Sequence, residues 1–553
     1  MAVILHSQET IDRYTAAGFW GDRTLLDIFD DSAKAHPDRP AVMDPPDRPN
    51  LTGMEPETVT YAELSQAVNA IATALLRAGL QKDDVVMVQL PNTWELAALY
   101  LAVTRAGGTL SPVPIQWRAK DVGYVRELTK SDIFITLKDF KGFGHLEMGE
   151  RLGFRNLISL EELRDMAKGD VDEEALSAVT TDPNDVFSLC WTSGTEAEPK
   201  GCPLTHNNWI YQSGNLVKGC SMEKGDRILC LAPLVNMAAV GVNYVPWLLT
   251  GGTFILHHPI NPKVLLGQLM QADVQFTILV PAVLNMLVQL ENVDQIDLSG
   301  IRTITSGSAP PAPSVMEEYQ RRWGIEVVNV WGQNEGTALI TDPPDVPEPA
   351  MRSDHFPWWG KKGIEWPSGV EGMEVKVLGE DGEELTEPGS IGELVYKGPN
   401  VFSGYFNRPD LDETSFTEDG FFRTGDLFLI QDERHLGFHD RKKDIVIRGG
   451  TNISSAEVEN AVQAHPKVSE AGVIPVPDAR LGERVGVFVV PADASDPPTL
   501  REISGFLKEQ GYAAYKAPER LELAEVLPRN PVGKILKSDL REELRNRMEE
   551  GQD

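Results

Sequence analysis

The alternation of strand-like and helix-like segments constrains the fold of this chain more than any other feature. Residues 24–37 and 62–80 carry apolar side chains at helical spacing, and the apolar run 84–90 is typical of a buried strand that precedes a helix from Trp94 to Ala106. Further strand-like segments then alternate with helical ones: DIFITL, VFSLCW, RILCLAP, FTILVP, TITSGS and EVVNVW. This order predicts an α/β architecture with largely parallel sheets.

The pattern changes in the C-terminal third of the chain. From about residue 369, short strands separated by Gly and Asp turns predict a small antiparallel, β-barrel-like unit. A strand–helix pattern then returns, with helices predicted at 455–464 and 499–510. We therefore expect a large N-terminal domain of α/β subdomains that includes the β-barrel-like unit, residues 1–440, and a small mobile α+β C-terminal domain, residues 441–553.

Composition limits the class of protein. A chain of 553 residues with 41% hydrophobic and 24% charged residues is typical of a globular protein of two or more domains. The net charge of -32 argues against nucleic-acid binding, which needs Lys and Arg to neutralise phosphates, and favours a monomer or homodimer. No signal peptide or membrane span is predicted, and the four cysteines fit no zinc pattern, so we expect a cytoplasmic protein with reduced thiols.

The first chemical motif is TSGTEAEPKG, at residues 192–201, which directly follows a strand-like segment. Gly194 allows a ligand to approach the backbone closely, and Lys200 adds positive charge. Hydroxyl groups and successive backbone N–H groups are suited to hold phosphate oxygens; the hydroxyl-bearing residues are Thr192, Ser193 and Thr195. The motif lacks the Gly-Lys-Ser/Thr order of a Walker loop. By composition alone, an ordinary surface loop is the alternative interpretation.

Six motifs in order resemble those of the adenylate-forming superfamily, which includes acyl-CoA synthetases, amino-acid adenylation domains and firefly luciferase. After SGTEAEPKG at 193–201, the motifs are SGSAPP at 306–311, VWGQNEG at 330–336, RTGDL at 423–427, DRKKDIVIRGGTNIS at 440–454 and PRNPVGKI at 528–535. The resemblance spans roughly residues 20–545 and is most like a fatty, alicyclic or aryl acyl-CoA ligase. It implies an enzyme that uses ATP, Mg²⁺ and coenzyme A.

The resemblance implies a role in adenylate formation for each motif. Glu335 would bind Mg²⁺, Asp426 would accept hydrogen bonds from the ribose with help from Arg441, and Lys534 would stabilise negative charge on the α-phosphoryl oxygens. The residues implied in ATP or AMP binding are Thr192, Ser193, Gly194, Thr195, Glu196, Lys200, Ser308, Ala309, Asn329, Trp331, Gly332, Gln333, Asn334, Asp426 and Arg441. A core aromatic is the alternative for Trp331, and Lys537 is the competing lysine near Lys534.

The resemblance also implies a second half-reaction with a thiol. The C-terminal domain would rotate about Lys443, and Gly449 and Gly450 would leave room for the pantetheine arm of coenzyme A. A hairpin turn is the plainer interpretation of this glycine pair, and it is compatible with that role.

Several positions depart from the family pattern. Glu196 and Glu198 place carboxylates near the expected triphosphate, where they would face solvent or a second cation. Asn334 stands where Thr is common, so an amide would replace a hydroxyl contact to the α-phosphate.

The wall of the acyl pocket is predicted to consist mostly of small or apolar residues, which suggests an uncharged fatty, alicyclic or aryl acid. Its predicted wall comprises Asn236, Met237, Val240, Gly241, Ser306 and Gly307. The segment 342–363 is predicted to be a long surface loop, and the aromatic residues of 342–366 would either cover a bulky substrate or pack on the domain. A carrier-protein thiol as acceptor, and a non-catalytic binding protein of the same fold, are the alternatives to a carboxylate–CoA ligase.

Overall fold

The computed structural model describes residues 5–192, 198–257, 259–448, 451–478, 480–510, 512–529 and 534–549. The chain forms two compact units. Of the described residues, those in 5–192, 198–374 and 396–422 form unit 1, and those in 375–395 and 423–549 form unit 2. Residues 375–395 and 423–440 thus group with the C-terminal residues. The predicted boundary between residues 440 and 441 marks where the mobile C-terminal domain is expected to begin, and it stays a prediction.

Two sheets form the framework of unit 1. The strands of the first, in spatial order, are Lys200–Thr205, Val186–Thr192, Thr109–Pro112, Val85–Gln89, Ile133–Thr136 and Asn156–Ser159. Its neighbours pair in parallel except for the antiparallel hairpin of the first two strands. The strands of the second are Ala338–Ile340, Glu326–Gly332, Thr303–Gly307, Phe276–Ile278, Arg227–Cys230, Thr253–Leu256, Pro40–Met43 and Thr58–Thr60. Only its two edge pairs are antiparallel, so the prediction of largely parallel sheets is confirmed.

Helices cover these sheets. Those of unit 1 are Gln8–Ala16, Leu25–Ala35, Arg48–Thr52, Tyr61–Arg77, Trp94–Arg105, Ala119–Thr129, His145–Leu152, Leu160–Met166, Glu173–Ser177, His206–Gly219, Met237–Ala239, Val245–Thr250, Pro262–Gln271, Pro281–Val288, Pro313–Trp323 and Pro409–Ser415. A π-helix spans Val240–Tyr244, 3₁₀ helices span Val293–Gln295 and Pro349–Ser353, and short strands span Asp139–Phe140, Phe143–Gly144 and Phe356–Pro357. The helix Tyr61–Arg77 begins at a capping box in which Thr60 and Glu63 satisfy each other's backbone N–H groups.

Unit 2 contains two further sheets. The strands of the first, in spatial order, are His435–Arg441, Phe422–Ile430, Ile391–Lys397, Glu374–Leu378 and Glu384–Leu385. The strands of the second are Thr451–Ile453, Val446–Arg448, Gly482–Pro491 and Val468–Asp478, with Arg520–Leu523 parallel to Gly482–Pro491. The helices are Ser455–Gln463, Leu500–Glu509, Ala514–Lys516 (3₁₀) and Lys537–Glu549. The α+β pattern predicted for the C-terminal residues is confirmed.

The segment 342–363 is not the surface loop that its composition predicts. Val346, Arg352, Trp358 and Trp359 are each at most 2% exposed. The Arg352 guanidinium donates to the backbone oxygens of Val346 and Pro347, both at 2.7 Å. Buried backbone acceptors thereby find a partner, which lets a loop rich in Pro and Asp pack inside the unit.

Two further observations concern the cysteines and the helices. All four cysteines are buried and free, and burial raises the pKa of each thiol. Among the helices that the structure describes, none combines the length and the apolar character needed to cross a bilayer.

Candidate active site

The phosphate loop connects the two strands of an antiparallel hairpin. Thr192 lies opposite Lys200 in the register, and the Lys200 N–H donates to Thr192 Oγ1 at 3.3 Å. Ser193, Gly194, Thr195 and Glu196 lie outside the described residues, so their roles stay predictions. The exposed Glu198 carboxylate lies 3.9 Å from Arg408, which itself pairs with Asp410 at 2.8 Å.

Glu335, the predicted Mg²⁺ ligand, lies in a buried cluster with a tyrosine. The Tyr405 hydroxyl donates to Glu335 Oε1 at 2.7 Å, and the Lys200 ammonium lies 4.8 Å from the centre of the Tyr405 ring. Burial, and then the charge of Glu335, raises the pKa of Tyr405, so its hydroxyl stays protonated and remains a donor. A carboxylate has two oxygens with about four acceptor positions, so Glu335 keeps capacity for a hard cation and fits the predicted role.

Tyr405 was not predicted from the sequence. It lies 70 residues from Glu335, and its only local signal is an aromatic hydroxyl in the segment SGYFNRP. It connects the predicted metal ligand with the predicted phosphate-binding lysine.

Asn334 joins three predicted site segments. Its Oδ1 accepts from the Met237 N–H at 3.0 Å, and its Nδ2 donates to the Trp191 carbonyl at 3.0 Å. The amide therefore fixes the start of the predicted acyl-pocket helix against the strand that precedes the phosphate loop. A primary amide carries two hydrogens on its nitrogen, so the bond to the Trp191 carbonyl uses only one of the two Nδ2 hydrogens.

The neighbouring nucleotide-site residues differ in exposure. Trp331 is 9% exposed and lies opposite Leu339, while Gly332 is exposed and Gln333 is partly buried. The side chain of the buried Asn329 donates to the Ser353 carbonyl at 2.6 Å, which ties it to the segment 342–363. A nucleotide contact of Trp331 or Asn329 stays a prediction.

The SGSAPP motif ends a buried strand with a strained residue. Ser306 is fully buried, Gly307 follows it, and both Ser308 and Ala309 are exposed. Ser308 has a φ of 75°, a conformation that costs free energy for a residue with a Cβ. Such strain at the end of a parallel strand marks a position suited to ligand contact.

Of the six residues predicted to form the acyl-pocket wall, only Gly241 lines the cavity in this part of unit 1. Asn236 caps its helix, since its Oδ1 accepts from the Ala239 N–H at 3.2 Å, and Val240 is fully buried. Gly241 lines this cavity, and Trp359 lines it as well. Phe356, Trp358, Trp359 and Trp366 are all buried in unit 1, and Trp359 is the one of these four that also lines the cavity, so a substrate contact of Trp359 stays a prediction.

Unit 2 brings together the predicted ribose and catalytic residues. Asp426 and Arg441 lie opposite each other on adjacent strands, with Arg441 Nε 3.5 Å from Asp426 Oδ1. Burial lowers the pKa of the partly buried Lys534 to about 8; repulsion from Arg441 adds to this effect, and Asp426 and Asp444 oppose it. Lys534 therefore lies within electrostatic range of both predicted ribose-binding residues.

Lys537, the competing lysine, has other partners. Its ammonium lies 2.8 Å from Glu459 Oε1 and donates to Ser455 Oγ at 2.6 Å. Because these contacts hold Lys537 against the helix Ser455–Gln463, the structure favours Lys534 as the lysine of the predicted site.

The predicted hinge carries a contact that the sequence did not reveal. Lys443 is exposed, and its carbonyl accepts from Arg541 Nη2 at 3.4 Å. Arg541 also forms an ion pair with the buried Asp444. Gly449 and Gly450 lie outside the described residues, although Arg448 and Thr451 pair in an antiparallel register on either side of them.

Comparison with known proteins identifies the family. Residues 29–406 match the AMP-binding enzyme model, and residues 457–534 match the model of the AMP-binding enzyme C-terminal domain. A medium-chain fatty-acid–CoA ligase of Escherichia coli is 29% identical over 550 residues, which cover 97% of this chain and 93% of the relative. A feruloyl-CoA synthase of an Amycolatopsis species is 31% identical over 485 residues, which cover 87% and 93% of the two chains.

A solved structure supports the same assignment. ATP-bound MatB from Rhodopseudomonas palustris superimposes with a TM-score of 0.79 at 26% identity, over 95% of this chain and 99% of that one. Together with the family models, which match more than half of the residues, this likeness covers both the α/β sheets and the C-terminal residues. The chain therefore belongs to the AMP-binding enzyme family and is an AMP-forming acid–thiol ligase.

Proposed function

We propose that this chain is an ATP-dependent carboxylate–CoA ligase acting on an uncharged, hydrophobic acid of the fatty, alicyclic or aryl class. The observation that carries the proposal is the cluster of Lys534, Asp426 and Arg441 in unit 2, because it joins a cation of lowered pKa to an acceptor suited to ribose hydroxyls. The apolar walls of the cavity beside Gly241 support the choice of acid.

In the first step, a carboxylate oxygen of the acid attacks the α-phosphorus of ATP, and the bond to the β-phosphate oxygen breaks to release pyrophosphate. Lys534 in its protonated form stabilises the negative charge on the α-phosphoryl oxygens, while Asp426 positions the ribose. Lys200 and the phosphate loop hold the β- and γ-phosphates. Glu335 would hold Mg²⁺, which would supply charge neutralisation for the triphosphate.

In the second step, the thiol of coenzyme A loses its proton to solvent water, and its sulfur attacks the acyl carbonyl of the adenylate. AMP leaves with the electron pair of the broken acyl–phosphate bond, so the products are acyl-CoA, AMP and pyrophosphate. Between the two steps, the C-terminal domain rotates about Lys443, and this rotation changes which residues face the adenylate. A cytoplasmic location and a monomeric or homodimeric state remain part of the proposal.

The test is a panel of carboxylic acids assayed with ATP, Mg²⁺ and either coenzyme A or a phosphopantetheinylated carrier protein, with AMP and the thioester measured. We expect acyl-CoA and AMP in equal amounts with hydrophobic acids. Transfer to the carrier alone would replace this proposal with the carrier-loading alternative. Acid-independent ATP binding without AMP would replace it with the non-catalytic alternative.

A further inference from the structure

The cavity beside Gly241 combines apolar walls with a few amide groups. Its apolar wall includes Val242, Val330, Ala338 and Ile340, and the Trp359 indole closes part of it. We propose that this cavity receives the distal part of the acyl group, and that this part is a ring carrying a hydroxyl group. The inference rests on the proposed function and narrows its class of acid to hydroxylated aryl or alicyclic acids.

Asn400 is the first residue of the cavity lining that carries a buried polar atom without a partner among the described residues. It is 1% exposed, and its Nδ2 donates to the Gly336 carbonyl at 2.7 Å and to the Tyr396 hydroxyl at 3.0 Å. These two bonds fix the orientation of the amide, so the remaining side-chain atom is the acceptor Oδ1. That oxygen is buried and has no hydrogen-bond partner among the described residues. A ligand that donates a hydrogen bond would satisfy it.

Two further amides line the same cavity. Asn215 Nδ2 is buried and lies near the Tyr211 hydroxyl, but it meets no acceptor with full hydrogen-bond geometry among the described residues. Gln212 Nε2 lies 2.8 Å from Met237 Sδ, and a thioether is a weak acceptor. The cavity therefore presents donors as well as the Asn400 acceptor, each with unused or weakly used capacity.

Gly241 makes room for this arrangement. A Cβ on Gly241 would lie 2.8 Å from Gln212 Nε2 and 3.0 Å from the ring of Trp209. Any larger residue would push the Gln212 amide away from its place in the cavity wall.

The chemistry of the distal group follows from these partners. A hydroxyl both donates and accepts, so it can satisfy Asn400 Oδ1 and an amide N–H, whereas an ether or ketone oxygen only accepts. A methyl group at the same place would leave these polar atoms without a hydrogen bond. A site built to bind a hydroxyl therefore discriminates strongly against the methyl analogue. The flat indole of Trp359 and the branched walls favour a ring as the carrier of that hydroxyl.

The test compares matched acids in the AMP-release assay with ATP, Mg²⁺ and coenzyme A. Benzoic, cinnamic and cyclohexanecarboxylic acids are each compared with their hydroxy, methyl and methoxy derivatives at every ring position. We expect kcat/KM for at least one hydroxy acid to exceed that of its parent, methyl and methoxy counterparts by about tenfold or more. Equal or lower values for all hydroxy acids would overturn the inference.

Variants locate the preference in the cavity. Asn215→Leu replaces an amide with an apolar side chain of similar size and is expected to reduce the hydroxy-to-parent ratio by about fivefold or more. The matched control is Asn292→Leu, at an exposed asparagine, which is expected to keep the wild-type ratio. An unchanged ratio in Asn215→Leu, with thermal unfolding like that of the wild type, would contradict the assignment. Absence of AMP with every acid would instead overturn the proposed function, and the inference with it.

Discussion

Deprotonation of Lys534 should switch off adenylate formation at a pH where an ordinary lysine still carries its charge. Burial lowers the pKa of Lys534 from 10.5 to about 8, with Arg441 adding to the shift. The protonated fraction of this ammonium then falls from about nine tenths at pH 7 to about one tenth at pH 9. Because only the cation stabilises the phosphoryl charge, kcat/KM for ATP should fall about tenfold over this interval.

The assay is acid-dependent exchange of labelled pyrophosphate into ATP, measured without coenzyme A across this range of pH. Lys534→Arg should lower the rate at neutral pH but remove the alkaline decline, because a guanidinium stays protonated. Lys537→Arg is the matched control, since the structure places Lys537 against Glu459, and it should keep the wild-type profile. A wild-type rate that stays flat to pH 9, or an equal decline in Lys534→Arg, would refute the reasoning.

Four other substitutions test the remaining parts of the site. Glu335→Gln should raise the Mg²⁺ concentration needed for half-maximal pyrophosphate exchange by about tenfold or more. Tyr405→Phe should raise this concentration less, because the Glu335 carboxylate stays in place. An unchanged Mg²⁺ dependence in Glu335→Gln would show that Glu335 does not bind the metal. Arg541→Ala should slow adenylation by about fivefold, because the ion pair with Asp444 near the predicted hinge is lost. It should spare thioester formation from supplied acyl-adenylate. Equal losses in the two assays would argue against a role of Arg541 in the first step alone. Lys443→Pro should spare adenylation and block thioester formation, and survival of both steps would show that the hinge is elsewhere.

Local patterns predicted much of the fold. The helix Tyr61–Arg77 follows from apolar spacing and from the Thr60 and Glu63 cap, both of which are local in sequence. The parallel strands follow from apolar runs that alternate with helices. Asp426 and Arg441 belong to separate motifs, and the strand register places them opposite each other. Their proximity could be predicted only through the resemblance of the motifs to those of the adenylate-forming superfamily, and not from their spacing in the sequence.

The contacts that escaped prediction join residues far apart in the chain. Tyr405 reaches Glu335 across 70 residues, and Arg541 reaches Asp444 across 97. The segment 342–363 has the composition of a surface loop, yet Arg352 finds buried backbone acceptors and an ion pair with Glu326. Composition cannot predict such burial, because it depends on partners that only the folded chain brings near.

A single-turnover experiment without any thiol tests adenylate formation most directly. Enzyme in excess over ATP, mixed with Mg²⁺ and an accepted hydrophobic acid, should release one pyrophosphate per ATP and retain acyl-adenylate until coenzyme A is added. Coenzyme A should then convert the bound intermediate to acyl-CoA and AMP. Release of ADP and phosphate, or no pyrophosphate until coenzyme A is present, would contradict the mechanism.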